Sequence, residues 1–83
     1  MPRQVLICDD EETLTWSLAR SLSRDREVFD VTTVNDGDTA LAVLEEQSFD
    51  VVVLDIRMPG ISGLDVLLRI KERWPSTRVI MMT

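Results

Sequence analysis

Residues 51–60, VVVLDIRMPG, join a short apolar run to an aspartate, and residues 5–10, VLICDD, do the same earlier in the chain. Runs of this length and composition are typical of strands buried on both faces, as in a parallel sheet. The carboxyl ends of such strands meet at one edge of an open α/β sheet, where ligands bind. The sequence therefore predicts that Asp9, Asp10 and Asp55 share one small pocket.

Three carboxylates in one pocket repel each other unless a proton or a hard cation lies among their oxygens. Mg²⁺ prefers oxygen ligands and is commonly held by one or two carboxylates. The acidic cluster formed by Asp9, Asp10 and Asp55 therefore predicts a magnesium site.

Four strand-like runs alternate with three helical patterns. The predicted strands cover about residues 4–8, 29–34, 51–55 and 79–82. Leucines at four-residue spacing mark the first helix, a turn at residues 35–38 opens the second, and Ser62 is a candidate cap of the third, which Pro75 stops. This alternation predicts the α/β class, with right-handed crossovers and a doubly wound parallel sheet.

Composition narrows the possible functions. The 83 residues suit one small domain, 1–83, and a net charge of −6 without a basic stripe argues against direct nucleic-acid or membrane binding by this segment. The absence of histidine excludes zinc and histidine-based acid–base chemistry within the chain. Cys8, inside the first apolar run, is interpreted as a small buried hydrophobe, with a reactive thiol as the rarer alternative. With no apolar leader or membrane-length run, we expect a cytoplasmic location.

The order and spacing of these residues resemble the receiver domain of two-component response regulators. The resemblance is carried by the paired acids Asp9 and Asp10, by Asp55 with the Met-Pro-Gly that follows at 58–60, and by Thr83 at the end of the fourth run. The family fold is flavodoxin-like, with five strands in the order 2-1-3-4-5. The resemblance implies that this chain holds four strands and three helices of that fold, which is therefore incomplete.

The resemblance implies a regulatory switch in a phosphorelay. Asp55 would accept a phosphoryl group from a sensor histidine kinase or a phosphotransfer protein. It also implies that Asp10 and Asp55 bind Mg²⁺ directly, that Asp9 binds through water, and that the backbone carbonyl of Arg57 is a further ligand. Thr83 would contact the phosphoryl group through its hydroxyl. Such a module catalyses only its own phosphorylation and dephosphorylation and is not a conventional enzyme.

The resemblance also implies a docking surface for the kinase on the first helix. The candidate contacts are Thr13, Leu14 and Ser17. The alternative, given equal weight, is that Leu14 is an ordinary core residue and the other two are ordinary surface residues. The third helix and its proline exit resemble receivers that are attached to transcriptional activators, which suggests transcription regulation.

The family's fourth helix, fifth strand, last helix and phosphate-contacting lysine do not follow Thr83 in this sequence, and Lys71 on the third helix is no substitute. An unpaired fourth strand and an uncovered sheet face predict a homo-oligomer. The alternative function is therefore a non-phosphorylated interaction or oligomerisation module. Retention of the three aspartates favours the phosphoacceptor.

Each candidate residue has a plainer interpretation as well. Asp10 is alternatively only a helix cap, Asp9 a solvated loop acid, and Asp55 a turn former. Thr83, as the last residue of the sequence, is alternatively a frayed end. The side chain of Arg57 is either a plain surface charge or a modulator of phosphate lifetime.

Overall fold

The computed structural model describes residues 2–10, 17, 19–21, 24, 28–58 and 60–82. Its strands are β1 (Arg3–Cys8), β2 (Phe29–Val34), β3 (Val51–Asp55) and β4 (Arg78–Met82), and its helices are α1 (Gly37–Glu46) and α2 (Gly63–Arg73). Residues 17 and 19–21, which belong to the first predicted helix, are helical, and the rest of that helix lies outside the described residues. None of the helices in this described part is long and apolar enough to cross a membrane.

The four strands form one parallel sheet in the order β2-β1-β3-β4. This order is the first four strands of the flavodoxin-like arrangement, so the predicted fold class is confirmed. In register, Cys8 lies beside both Val34 and Leu54, and Asp55 lies beside Met82. The carboxyl ends of the two central strands, β1 and β3, are therefore direct neighbours.

One face of the sheet is covered by α1 and α2. Alternate residues of β1 and β3 point into this layer, where they meet one apolar stripe from each helix. The fully buried side chains of the layer are Leu6, Cys8, Val52, Leu54, Ala40, Val66 and Ile70. Burial of each large aliphatic side chain contributes about 1.5–3 kcal/mol, and this layer is therefore the main source of stability.

The second face of the sheet is covered unevenly. In β1 every residue from Val5 to Cys8 is buried, as the sequence predicts for a strand covered on both faces. In β3, by contrast, Val53 is only half-buried, and its register partner Ile80 on β4 is 56% exposed. Two-sided burial is thus correct for β1 and wrong for β3, because both α1 and α2 pack on the opposite face.

Both helices begin at the carboxyl end of the strands, and a polar cap defines each start. Asp36 caps α1 by accepting a hydrogen bond at Oδ1 from the Thr39 N–H, at 2.7 Å. Ser62 caps α2 by accepting one from the Asp65 N–H at 3.3 Å, as its position in the sequence predicts. A cap at either place holds a helix start beside the edge of the sheet where the aspartates lie.

Candidate metal centre

The acidic cluster lies at the carboxyl ends of the two central strands. Asp9 directly follows β1, Asp10 is next to it, and Asp55 is the last residue of β3. One carboxylate oxygen from each residue lies within 4.8 Å of those from the other two. The structure therefore brings together the three side chains that the strand pattern predicts to share a pocket.

The spacing and chemistry of these oxygens fit a magnesium ion. Octahedral Mg²⁺ binds oxygens at about 2.0–2.1 Å, which places neighbouring ligands about 3 Å apart and opposite ligands about 4.2 Å apart. The upper limit of 4.8 Å between the carboxylate oxygens is close to this range of ligand separations. Burial is graded across the pocket, because Asp9 is 2% exposed, Asp55 is half-buried and Asp10 is exposed. A cation would thus reach the cluster from the Asp10 side.

The loop between β2 and α1 holds the end of β1. The Asp9 N–H donates to the Val34 carbonyl at 3.2 Å, and the Asn35 side-chain amide donates through Nδ2 to the Asp9 carbonyl at 3.1 Å. The Cys8 thiol donates to the Asp36 carbonyl at 3.4 Å. Three consecutive residues at the end of β2, 34–36, therefore fix Cys8 and Asp9 at the end of β1.

The turn after β3 holds Asp55. The Arg57 N–H donates to Asp55 Oδ1 at 3.0 Å, which fixes the carboxylate against its own turn. The Ile56 N–H donates to the Met82 carbonyl at 3.3 Å, and the Gly63 N–H donates to the Ile56 carbonyl at 3.0 Å. Arg57 therefore contacts Asp55 through its amide, its side chain is exposed, and the ligand role of its carbonyl stays a prediction.

Two glycines allow close packing at the helix starts: Gly63 lets α2 approach the end of β3, and Gly37 lets the start of α1 pack against Ile61 and Val66. A Cβ on Gly63 would overlap the Asp55 carbonyl oxygen and lie 2.7 Å from Ile56 Cα. A Cβ on Gly37 would lie 2.8 Å from a Val66 methyl carbon. The sequence pattern did not single out either glycine for this role. Each glycine directly follows an N-cap residue, where helix capping does not require glycine. That unexplained glycine was the signal in the sequence that could have indicated close packing.

Gly60 has a different role, because its φ of +78° lies in the left-handed region. A Cβ there would meet no atom within 4 Å, so the requirement for glycine is conformational. This agrees with the backbone freedom that the Met-Pro-Gly sequence predicts, although Pro59 lies outside the described residues.

Beneath the acidic cluster lies the thiol of Cys8, the single cysteine of the chain, which is fully buried and not in a disulfide. Burial, and after it the carboxylates of Asp36, Asp9 and Asp55 in that order, together raise the pKa of this thiol from 9.0 to about 12. The thiol also lies 3.2 Å from the Met58 sulfur. A protonated thiol in such surroundings behaves as the small buried hydrophobe that the sequence predicts.

Other predicted residues lie elsewhere. Thr83, Thr13 and Leu14 are outside the described residues, and Ser17 is helical and exposed. Lys71 is exposed in the last turn of α2, a helix that begins at the site and runs away from it. Lys71 therefore lies at the end of α2 that is far from the acidic cluster.

A doubly wound parallel sheet with an acidic cluster at its carboxyl edge defines an α/β module suited to binding a hard cation. The family model for the response regulator receiver domain matches residues 5–83. The chain belongs to the response regulator receiver domain family, a family of two-component signalling.

Relatives and solved structures agree with this membership. The sensory transduction protein RegX3 of Mycolicibacterium smegmatis is 46% identical over 79 residues, which cover 95% of this chain and 33% of RegX3. The probable transcriptional regulatory protein TcrX of Mycobacterium tuberculosis is 39% identical over 82 residues, covering 99% of this chain and 34% of TcrX. The chain therefore spans about a third of the length of these relatives. The response regulator TrrA of Thermotoga maritima, solved in complex with Mg²⁺-BeF, has a TM-score of 0.86 and 33% identity over 95% of this chain and 67% of its own.

Proposed function

We propose that this chain is a phosphoacceptor switch that binds Mg²⁺ and takes a phosphoryl group onto Asp55 from a histidine kinase or a phosphotransfer protein. The observation that carries the proposal is the acidic cluster, three carboxylates within 4.8 Å at the ends of two adjacent central strands. The complex of TrrA with Mg²⁺-BeF supports it, because fluoroberyllate is a tetrahedral analogue of a phosphoryl group.

In this proposal Asp10 and Asp55 would bind Mg²⁺ directly, Asp9 would bind it through water, and the Arg57 carbonyl would complete the protein ligands. The ion would neutralise the repulsion between the acceptor carboxylate and the incoming phosphoryl oxygens. The exposed position of Asp10 suits entry of the ion from solvent, and the buried Asp9 would act from the inner side of the pocket through water.

Asp55 acts as the nucleophile. Because the Arg57 N–H holds Oδ1 at 3.0 Å, Oδ2 is the oxygen that attacks phosphorus. The new P–O bond forms as the P–N bond of the phosphohistidine breaks, and the imidazole nitrogen keeps the electron pair of that bond. Attack by water on phosphorus then breaks the P–O bond to Asp55, releases inorganic phosphate and returns the carboxylate to its starting state. The chain therefore acts as a switch rather than a conventional enzyme.

The remaining roles are part of the same proposal. Thr83 donates its hydroxyl to a phosphoryl oxygen, and Thr13, Leu14 and Ser17 contact the phosphoryl donor. RegX3 is named a sensory transduction protein and TcrX a transcriptional regulatory protein, and we propose that the output of this switch is likewise the control of transcription. The alternative of a non-phosphorylated interaction module is less favoured, because it leaves the acidic cluster without a role.

Uptake of fluoroberyllate, measured by ¹⁹F NMR with and without Mg²⁺, tests the proposal. We expect a protein-bound signal that requires Mg²⁺ and is lost in Asp55→Asn. Asp38→Asn is the matched control, because it removes the same charge from an exposed residue in the first turn of α1, at the same edge of the sheet. Absence of a bound signal from the folded chain, or a signal that survives in Asp55→Asn, would contradict the proposal.

A further inference from the structure

We infer that Asn35 is a positioning residue that orients Asp9 and Asp10 for the cation. The inference rests on the proposed function and adds to it a residue that does not itself bind the metal. One contact joins the residue after β2 to the residue after β1: the Asn35 side chain donates through Nδ2 to the Asp9 carbonyl at 3.1 Å.

Both backbone polar groups of Asp9, the N–H and the carbonyl, form hydrogen bonds with residues at the end of β2. Its N–H donates to the Val34 carbonyl at 3.2 Å, and its carbonyl accepts from Asn35. That carbonyl belongs to the peptide group joining Asp9 to Asp10. Because a peptide group is planar, holding its carbonyl sets the positions of both Cα atoms and restricts the ψ of Asp9 and the φ of Asp10, on which the directions of the two side chains depend. Asn35 therefore acts on two of the three carboxylates through one hydrogen bond.

The amide is chemically suited to this position. It is a neutral donor, so it holds the carbonyl without the positive charge that a lysine or arginine would bring to a cation site. An ionised aspartate has only acceptors, and at this position its oxygens would face the Asp9 carbonyl. Asn35 is itself exposed, and its hydrogen bond rather than core packing is its main contribution.

Binding of Mn²⁺, followed through the EPR signal of the free ion, tests the inference in the intact chain. We expect Asn35→Leu, which keeps the shape but removes the donor, to raise the Kd about tenfold, as loss of a partner that orients metal ligands does elsewhere. Gln47→Leu is the matched control: it removes an exposed amide whose contact with Gln4 lies at the other end of the sheet, and its Kd should match the wild type.

Asn35→Asp distinguishes the effect of the lost hydrogen-bond donor on Mn²⁺ affinity from the effect of an added negative charge. An added carboxylate near a cation site tightens binding by electrostatics alone, whereas loss of the donor weakens it. We expect Asn35→Asp to bind Mn²⁺ more weakly than the wild type, with a higher Kd. The amide ¹⁵N shift of Asp10 in the metal-free chain gives an independent reading, because Asp9 provides the carbonyl of that peptide group, and it should move in Asn35→Leu but not in Gln47→Leu.

Three results would overturn the inference. Equal Mn²⁺ affinity in Asn35→Leu and the wild type refutes it and leaves the proposed function intact. Tighter binding in Asn35→Asp, or an unchanged Asp10 shift in Asn35→Leu, also refutes it. A wild-type chain that is folded but binds no Mn²⁺ removes the proposed function and, with it, the inference.

Discussion

At the residue scale, Cys8 tests the electrostatics of the pocket without any metal. Burial and the neighbouring carboxylates raise the pKa of this thiol to about 12, against 9.0 for an unperturbed thiol. At about pH 8 the thiolate population is then about a thousandfold lower than in the unfolded chain. We expect iodoacetamide, followed by intact mass, to label the native chain at least that much more slowly than the urea-unfolded chain. Native labelling at the unfolded rate would contradict the buried, protonated thiol.

Gly63 tests the contact between α2 and the acceptor strand. Alanine at this position would force its Cβ onto the backbone of Asp55 and Ile56, and overpacking of this kind costs about 1–3 kcal/mol of unfolding free energy. Gly60→Ala is the comparison, since its cost of about 1–2 kcal/mol would come from a positive φ alone.

Urea unfolding measures the loss of stability in both glycine variants, and their Mn²⁺ affinities show which of them disturbs the acidic cluster. Gly63→Ala should weaken binding because it displaces Asp55, whereas Gly60→Ala should weaken binding less because its new methyl group meets no neighbouring atom within 4 Å. A Gly63→Ala chain with wild-type stability and affinity would contradict the close approach of helix and strand.

Residues of the site differ in how far the sequence predicts them. Asp9, Asp10 and Asp55 follow apolar runs, and the topology of a parallel sheet brings such strand ends together. Asn35 and Gly63 gave no comparable signal, because their roles depend on distances between elements that are far apart in the chain. Asn35 and Asp9 are 26 positions apart, and the requirement for glycine at position 63 arises only once α2 packs on Asp55.

At the scale of elements, the cap of α1 makes the stability depend on pH. The hydrogen bonds that Asp36 accepts from Thr39 hold the pKa of its carboxyl group below 3.8. Because the folded-state pKa is below the unfolded value, the ionised cap stabilises the fold above the unfolded pKa. This contribution is lost as the pH falls through the folded pKa.

Asp36→Asn isolates that contribution, because asparagine caps a helix nearly as well but does not titrate. We expect the wild type to lose its advantage in unfolding free energy over Asp36→Asn between about pH 6 and about pH 3. Urea unfolding of both chains at the two pH values measures the difference. A gap that stays constant or widens on acidification would show that the cap is not ionised in the folded chain.

Element boundaries were predicted well where a local signal exists. The predicted strand at 29–34 matches β2, the predicted strand at 51–55 matches β3, and Ser62 caps α2. Burial of β3 was predicted less well, because an apolar run shows only that a strand can be covered on both faces. Whether a helix covers Val53 depends on which elements pack beside β3, and that is a property of the whole fold.

At the scale of the whole molecule, the exposed part of the sheet predicts self-association. Within the described residues β4 lies at one edge of the sheet, and Ile80 on it is 56% exposed beside the half-buried Val53. Exposed apolar groups on an edge strand favour pairing with another chain. We expect light scattering to show a mean mass that rises with concentration and a smaller rise in Ile80→Glu.

Leu68→Glu is the control for this prediction, because Leu68 is 66% exposed but lies on α2, on the other side of the sheet. It should leave the association unchanged. A mean mass that stays at that of the monomer over the micromolar range, or an equal effect of both substitutions, would contradict association through β4.

The central claim is that the acidic cluster makes Asp55 a magnesium-dependent phosphoacceptor. Intact mass after incubation with a small acyl phosphate tests it most directly, with and without Mg²⁺ and beside Asp55→Asn. The account predicts an adduct with the mass of one phosphoryl group that requires Mg²⁺ and is absent from Asp55→Asn. No adduct on the folded wild type, or an adduct that persists in Asp55→Asn, would contradict it.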